Sequence, residues 1–373
     1  MVARALLDEL TYGAVSRRER PVASHIPYTR HVDDNIVKTR DGLVLTVLKL
    51  DGYSFETSDM SEVNARLLGR NDIVRTLANS RFALASHIVR REVQPRIAST
   101  FDNALCREID ERYDAALSKR RMFVNDIYLT IVRRPLQGQA GTFDALMTKA
   151  LGRRDAAGES VAMQTALNEL RDAATAVREN LAAYGARQLG VVRRDGVWFS
   201  EPLEFLVQIV DGGLPRPMHL PRMNLADALS LKRIFFGRNA IEVRGAGPED
   251  TRFATMISIR EYPAQSGPGS FDNLLRVPHE FIATQTFAIV DRPEAAKQID
   301  RVSRQVDKSD EAGSIVAEHL DEARDELLAS EAIYGEHHMT VMCLGRDLAE
   351  VGAAVAAAGA ALTDRSVIWV RED

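Results

Sequence analysis

The chain has 373 residues, of which 45% are hydrophobic and 27% charged, with a formal net charge of −5. That composition is ordinary for a globular protein, and the acidic balance excludes a nucleic-acid binder that works through its whole surface, because phosphate contacts need a basic excess. Two cysteines, Cys106 and Cys343, exclude a disulfide framework and point to a reducing cytosol, and the longest apolar run, Val351–Leu362, falls short of the ~20 residues that span a bilayer.

Residues 1–30 are polar and basic, with Arg17, Arg18 and Arg20 ahead of Pro21 and Pro27, and read as an extended arm, either a partly disordered terminus or a segment that orders on a partner. Asp8 and Glu9, with no apolar core beside them, argue against a signal peptide. A first regular region, 31–210, opens with a strand at 43–50 (LVLTVLKL) after the turn Arg40-Asp41-Gly42. A helix over 62–78 and a strand over 82–91 follow. Pro95 then starts a long helix to about Arg121. Its residues Ile97, Phe101, Leu105, Ile109, Tyr113 and Leu117 recur every four positions and form one apolar stripe, which predicts a core face. A third strand covers 123–133, helices lie near 143–151 and 161–183, and a hairpin turns at Arg194-Asp195-Gly196.

The stretch 211–250, punctuated by Gly212, Gly213, Pro215, Pro217 and Pro221, reads as a linker. The second region, 251–373, repeats the order of the first. Strands fall at 252–262, 280–291, 336–344 and 366–371, a long charged helical region at 294–329, and a helix at 349–361. Each region therefore reads strand–helix–strand, then strand–helix–strand, with a long helical insertion between its second and third strands. The predicted fold class is α+β: two ferredoxin-like sandwich units with mainly antiparallel sheets.

Several strings, taken in order, resemble one family. They are IPY at 26–28 with HVDD at 31–34, IVKTRDG at 36–42, LDG at 50–52 with FET at 55–57, and the pair Arg90-Arg91. NDIYLT at 125–130 with RRP at 133–135 and FSE at 199–201 with EFL at 204–206 continue the series. ISIREYP at 257–263, TQTFA at 284–288 and YGEHH at 334–338 complete it. Together they resemble the N-terminal part of the CagE/TrbE/VirB family, the conjugal-transfer ATPases of bacterial type IV secretion systems.

The resemblance implies a non-catalytic assembly and docking module. It implies a following RecA-like domain that binds ATP and Mg²⁺ and assembles as hexamers. It implies a place on the cytoplasmic face of the inner membrane, inner-membrane secretion components as partners, and pilus biogenesis or transfer of DNA or protein as the work. The sequence holds no Gly-Lys pair, which a phosphate-binding loop of the Walker A type requires. The expectation is that this chain alone hydrolyses no ATP and assembles weakly.

No catalytic, cofactor or metal residues are assigned. His337-His338 are adjacent on a strand and point to opposite faces, so they do not chelate one metal. The acidic residues Asp300, Asp307, Asp310, Asp321 and Asp325 alternate with arginines and read as a solvated helical face. Arg-Arg pairs at 90–91, 120–121, 133–134 and 193–194 read as charged strand ends, and Gly245–Pro248 and Gly267–Gly269 as turns. Candidate partner-binding residues are Arg17, Arg18, Arg20, Tyr28 and His31, with Phe101, Leu105, Ile109 and Tyr113 if the long helix protrudes. Two other classes stay open: a ferredoxin-like, metal-dependent phosphotransfer enzyme, which would need an Asp-x-Asp on a strand, and a sheet binding single-stranded nucleic acid, which would need more than the 6% aromatic content found. Direct contact with nucleic acid is not expected.

Overall fold

Val44, Leu45, Val47 and Leu48 are all buried, so the first long strand is covered on both faces rather than half-solvated. A computed structural model describes residues 20–52, 59, 61, 69, 73–77, 81–94, 100–134, 156–263, 269–306, 313–329 and 333–372. In the first half, β1 (Tyr28–Asp33), β2 (Ile36–Thr39), β3 (Val44–Leu50) and β4 (Phe82–Val93) precede helix α1 (Ala104–Leu117). Then come β5 (Met122–Arg133), α2 (Ala156–Asn180), β6 (Arg187–Gln188), the hairpin β7 (Val191–Arg194) and β8 (Val197–Ser200), and α3 (Glu201–Val210).

The stretch read as a linker carries a short helix α4 (Leu225–Leu229) and a second hairpin, β9 (Arg233–Phe236) and β10 (Ile241–Arg244). The second half holds β11 (Arg252–Glu261), β12 (Phe281–Ile289), α5 (Arg292–Val306), α6 (Gly313–Ala329), β13 (Gly335–Gly345), α7 (Leu348–Thr363) and β14 (Ile368–Arg371).

Among the described residues, 12 strands form one sheet in the order β1-β2-β3-β5-β4-β12-β13-β11-β10-β9, with β6 on β3 and β14 on β11. Every pairing is antiparallel. Within the first half β6-β3-β5-β4 puts the fourth strand beside the first and the third beside the second, and β14-β11-β13-β12 repeats that order in the second half. The two halves meet where β4 pairs with β12, from Phe281 opposite Arg90 to Ala288 opposite Ala83. The α+β reading of the sequence holds, and the sheet runs straight across the division placed at 211–250.

The pleat sorts the core. Val44 and Leu48 face α2, where Leu167, Leu170, Ala174 and Val177 cover them. Leu45 and Val47 face the other way, onto Leu203 and Leu206 of α3 and Leu225 and Leu229 of α4. In the second half α7 lies on the same side as α2, packing Ala354, Ala358 and Leu362 against Ile257, Phe281 and Val341. Gly359 of α7 is tight against Trp369: a Cβ there would run into the indole ring. Helix α3 is capped by Ser200, whose side chain accepts from the Leu203 amide at 3.3 Å, and carries Pro202 in its first turn.

Two predicted helices, 143–151 and most of 62–78, lie outside the described residues. The long helix of the first half begins at Ala104 rather than Pro95. Asn103 provides its cap, with Oδ1 accepting from the Leu105 amide at 2.9 Å, and Phe101 precedes the helix.

Candidate functional site

Helix α1 buries none of its residues. Phe101, Leu105, Ile109 and Tyr113 are 40%, 63%, 60% and 55% exposed. The stripe expected to be a core face is therefore a surface. The physical reason lies in the neighbours: β4 and β5 remain paired as far as Val93 and Met122, and Met122 and Val124 at that end are themselves exposed. Among the described residues, the sheet end that carries α1 has none of the packing that α2 and α7 supply elsewhere. Arg112 and Glu108 pair across one turn at 2.5 Å, which supports the helix on its polar face.

The base of this excursion is held firmly. Arg121 donates to Glu92 and to Glu350, each at 2.8 Å. Arg346 reaches Glu92 at 3.4 Å, the Glu92 amide donates to Glu280 at 2.9 Å, and Glu280 pairs with Arg252 at 2.7 Å. These residues come from both halves, so the network ties the end of β4 to β11, β12 and the start of α7. Burial opposes ionisation of Glu350, yet the Arg346 amide and the Arg121 guanidinium outweigh it and hold the carboxyl below its ordinary range.

The other candidates sit at the far end of the strand order. Arg20 is exposed, and Arg17 and Arg18 lie outside the described residues. Tyr28 and His31 share β1. Burial raises the Tyr28 phenol. His31 is half-buried, with Nε2 2.9 Å from the Ser200 hydroxyl and Nδ1 3.3 Å from the Asp33 carbonyl. Burial lowers its imidazole, against the Asp33 carbonyl and the Asp34 charge. Tyr28 and His31 are thus tied into the fold and do not join the α1 stripe on any shared element.

Two of the Arg-Arg pairs, 90–91 and 133–134, are internal ties, whereas Arg120, Arg121, Arg193 and Arg194 are exposed, the last two at the end of β7 as a charged strand end would be. Arg90 is buried and donates to the Val277 carbonyl at 2.8 Å and to Asn125 at 2.9 Å. Arg133 bonds Glu169, and Arg134 donates to the Ile289 carbonyl at 2.8 Å. Sequence reasoning missed this because a pair of arginines carries no sign of which carbonyl it will meet. His338 is exposed and His337 half-buried beside Tyr262, with Nδ1 2.7 Å from the phenol oxygen. Asp300 pairs with Arg324 at 3.6 Å, while Asp307 and Asp310 lie outside the described residues.

A charged cleft of about 270 Å³ runs beside β3, β5 and α3. Its cations are matched: Lys49 and Arg91 share Asp126, Arg187 pairs with Glu201 at 2.6 Å, and Arg194 with Glu204 at 2.5 Å. Behind it, Asp211 is fully buried, and among the described residues neither carboxylate oxygen has a hydrogen-bond partner. Burial pushes its carboxyl up to about 6, with Lys232 and Arg216 pulling the other way. The glycine turn at 245–247 is faced by carboxylates: a Cβ on Gly245 would meet Asp250, and one on Gly247 would meet Glu249. Two carboxylates beside the turn are unfavourable neighbours for a phosphate.

Comparison with known proteins places both halves of the sheet in one family. The family model described as the N-terminal domain of the type IV secretion system ATPase VirB4/TrbE matches residues 35–140. That for the CagE, TrbE, VirB family, a component of the type IV transporter system, matches 187–373. The chain is similar to the type IV secretion system protein virB4 of Bartonella henselae, 30% identical over 363 residues, covering 96% of this chain and 45% of that protein. It is 28% identical to protein virB4 of Agrobacterium fabrum over 361 residues, with the same two shares. It is 26% identical to PtlC of Bordetella pertussis over 370 residues, covering 96% of this chain and 43% of that protein. The chain thus spans somewhat less than half the length of these relatives. With matches on both sides of the sheet junction, it belongs to the CagE, TrbE, VirB family of type IV transporter components.

Proposed function

We propose that this chain is the non-catalytic assembly and docking portion of a type IV secretion ATPase, and that the α1 stripe is its docking surface. One observation carries that reading: an apolar row of Leu105, Ile109 and Tyr113, continued by Phe101 just before it, stands exposed on a helix whose base is fixed by ion pairs. A contiguous exposed apolar row is normally covered by a partner, and rows of this spacing are the anchors of helix-mediated recognition. Inner-membrane components of the secretion machine are the partners.

The whole protein would continue into a RecA-like domain that holds ATP and Mg²⁺, assemble as hexamers on the cytoplasmic face of the inner membrane, and energise pilus biogenesis and transfer of DNA or protein. Within this portion, the repeated order of fourth, first, third and second strand supports two ferredoxin-like units, each with its helical insertion between the second and third strands.

The test uses the full-length protein with Leu105→Glu and Ile109→Glu together. ATP hydrolysis and melting temperature should be unchanged, while co-purification with the inner-membrane secretion proteins and substrate transfer should fall to background. Normal transfer by the double variant would reject the docking role.

A further inference from the structure

The two ends of the long sheet are finished differently. At one end β1 is irregular: its register with β2 shifts between Tyr28 and Arg30 and again between His31 and Asp33. The amide of Val191 also bonds the Asp34 carbonyl just past it. Bulges and covering segments are how sheets close an edge. At the other end β9 is regular, with Arg233, Ile234, Phe235 and Phe236 opposite Arg244, Val243, Glu242 and Ile241 in unbroken register. The base of this hairpin is anchored by Lys232, whose buried ammonium donates to the Asp250 carbonyl at 2.7 Å and pairs with the Asp250 carboxylate at 3.0 Å.

The alternation of antiparallel bonds fixes which backbone groups of β9 are free. Gly237 and Ala240 form the bonded pair that closes the turn, the Gly237 amide donating to the Ala240 carbonyl at 2.9 Å. Counting back, Phe235 and Arg233 bond to β10, while Ile234 and Phe236 direct their N–H and C=O groups away from the sheet.

The pleat then sorts the side chains. Ile234 and Phe236 share one face with Val243 and Ile241, and Phe236 at its outer end is 78% exposed. Arg233 and Phe235 lie on the other face, where Arg244 stacks on Phe235 and is paired with Glu242. Among the described residues no carboxylate lies within ion-pair distance of Arg233, nor of Arg238 in the turn.

We propose that the edge of β9 is a strand-addition site for an extended, antiparallel segment of a partner protein in which apolar and acidic residues alternate. Main-chain groups at Ile234 and Phe236 bind the segment's backbone. Its apolar side chains extend the face of Ile234 and Phe236, and its acidic ones meet Arg233 on the opposite face. The site is separate from the α1 stripe and does not depend on the docking role proposed for it.

The probe is a fluorescein-labelled peptide of alternating valine and glutamate, titrated with the intact chain and read by anisotropy. Saturable binding is expected, weakened about tenfold or more when lysine replaces glutamate and in the Arg233→Glu and Phe236→Asp proteins, whose melting temperatures should match the parent. N-methylation separates pairing from mere stickiness. Valine residues lie opposite Ile234 and Phe236, so methylating the valine amides should abolish binding, and methylating the glutamate amides should leave it intact. Equal binding of both methylated peptides, or binding indifferent to Arg233→Glu and Phe236→Asp, overturns the proposal. So does failure of the peptide to bind while the chain dimerises through the same edge in sedimentation.

Discussion

At the scale of single residues, the molecule holds buried polar groups of opposite temperament at its centre. His87 of β4 lies at the junction of the halves, with Nδ1 3.1 Å from the Thr284 hydroxyl of β12 and its ring edge-on to Phe205 at 5.2 Å. Burial lowers its pKa to about 4. Because the unfolded chain takes up this proton near 6.5 and the folded chain near 4, the unfolded state binds more protons between those values. Stability contributed by neutral His87 is therefore whole above pH 6.5 and drains away as the solution is acidified towards 4. Going from pH 7 to pH 5 should cost about 1–2 kcal/mol through this group alone. Urea unfolding at a series of pH values checks it: His87→Gln should flatten the acid limb by that amount, and an unchanged slope would assign the limb to other groups. Asp211 acts with the opposite sign, since a carboxyl raised to about 6 favours the folded state most when protonated.

At the scale of elements, helices α1 and α2 show how similar patterns end in different places. Both carry apolar residues at helical spacing, yet Leu170 of α2 is fully buried and Leu105 of α1 is 63% exposed. The stability of the chain should report this directly. Leu170→Ala removes core volume beneath β3 and should cost about 2–5 kcal/mol, whereas Leu105→Ala should stay within ~0.5 kcal/mol. Equal losses in denaturant titrations would mean that α1 packs on its own domain in solution.

The strands β3, β4, β5, β11, β12 and β13 were legible because β-branched runs bounded by turns leave little else for the chain to do. Helix α7, which follows the cap at Asp347, was equally plain. The edge hairpin β9–β10 was not: Gly212, Gly213 and the prolines nearby announce a break, and Arg-Ile-Phe-Phe is too short to register as a strand before its partner is known. The site was half legible. Periodicity identified the α1 stripe, but periodicity is blind to which neighbour covers a face, and so core was read where surface was found. The cross-half network at Glu92, Arg121 and Glu350 had no signal in the sequence, since Glu350 lies 229 positions from Arg121.

At the scale of the whole molecule, the repeat in strand order suggests two independent units, while the packing argues for one cooperative body. The halves share eight paired positions across β4 and β12. They also share a core in which Val89, Tyr128 and Leu206 of the first half touch the same cluster as Ala254, Ile282 and Leu344 of the second. Arg90 reaches the Val277 carbonyl across the same boundary. Pulling the halves apart would expose a long bare strand edge on each and leave buried polar groups without partners, a cost that local unfolding of a loop does not carry. Scanning calorimetry of the chain should therefore show one transition whose calorimetric and van't Hoff enthalpies agree. Arg252→Ala, which leaves Glu280 without its ion pair at the α1 base, should move that transition down as a whole without splitting it. Two resolved transitions, with only the higher or the lower one shifted by Arg252→Ala, would mean that the β4·β12 seam is a docking contact between autonomous units and not part of a single core.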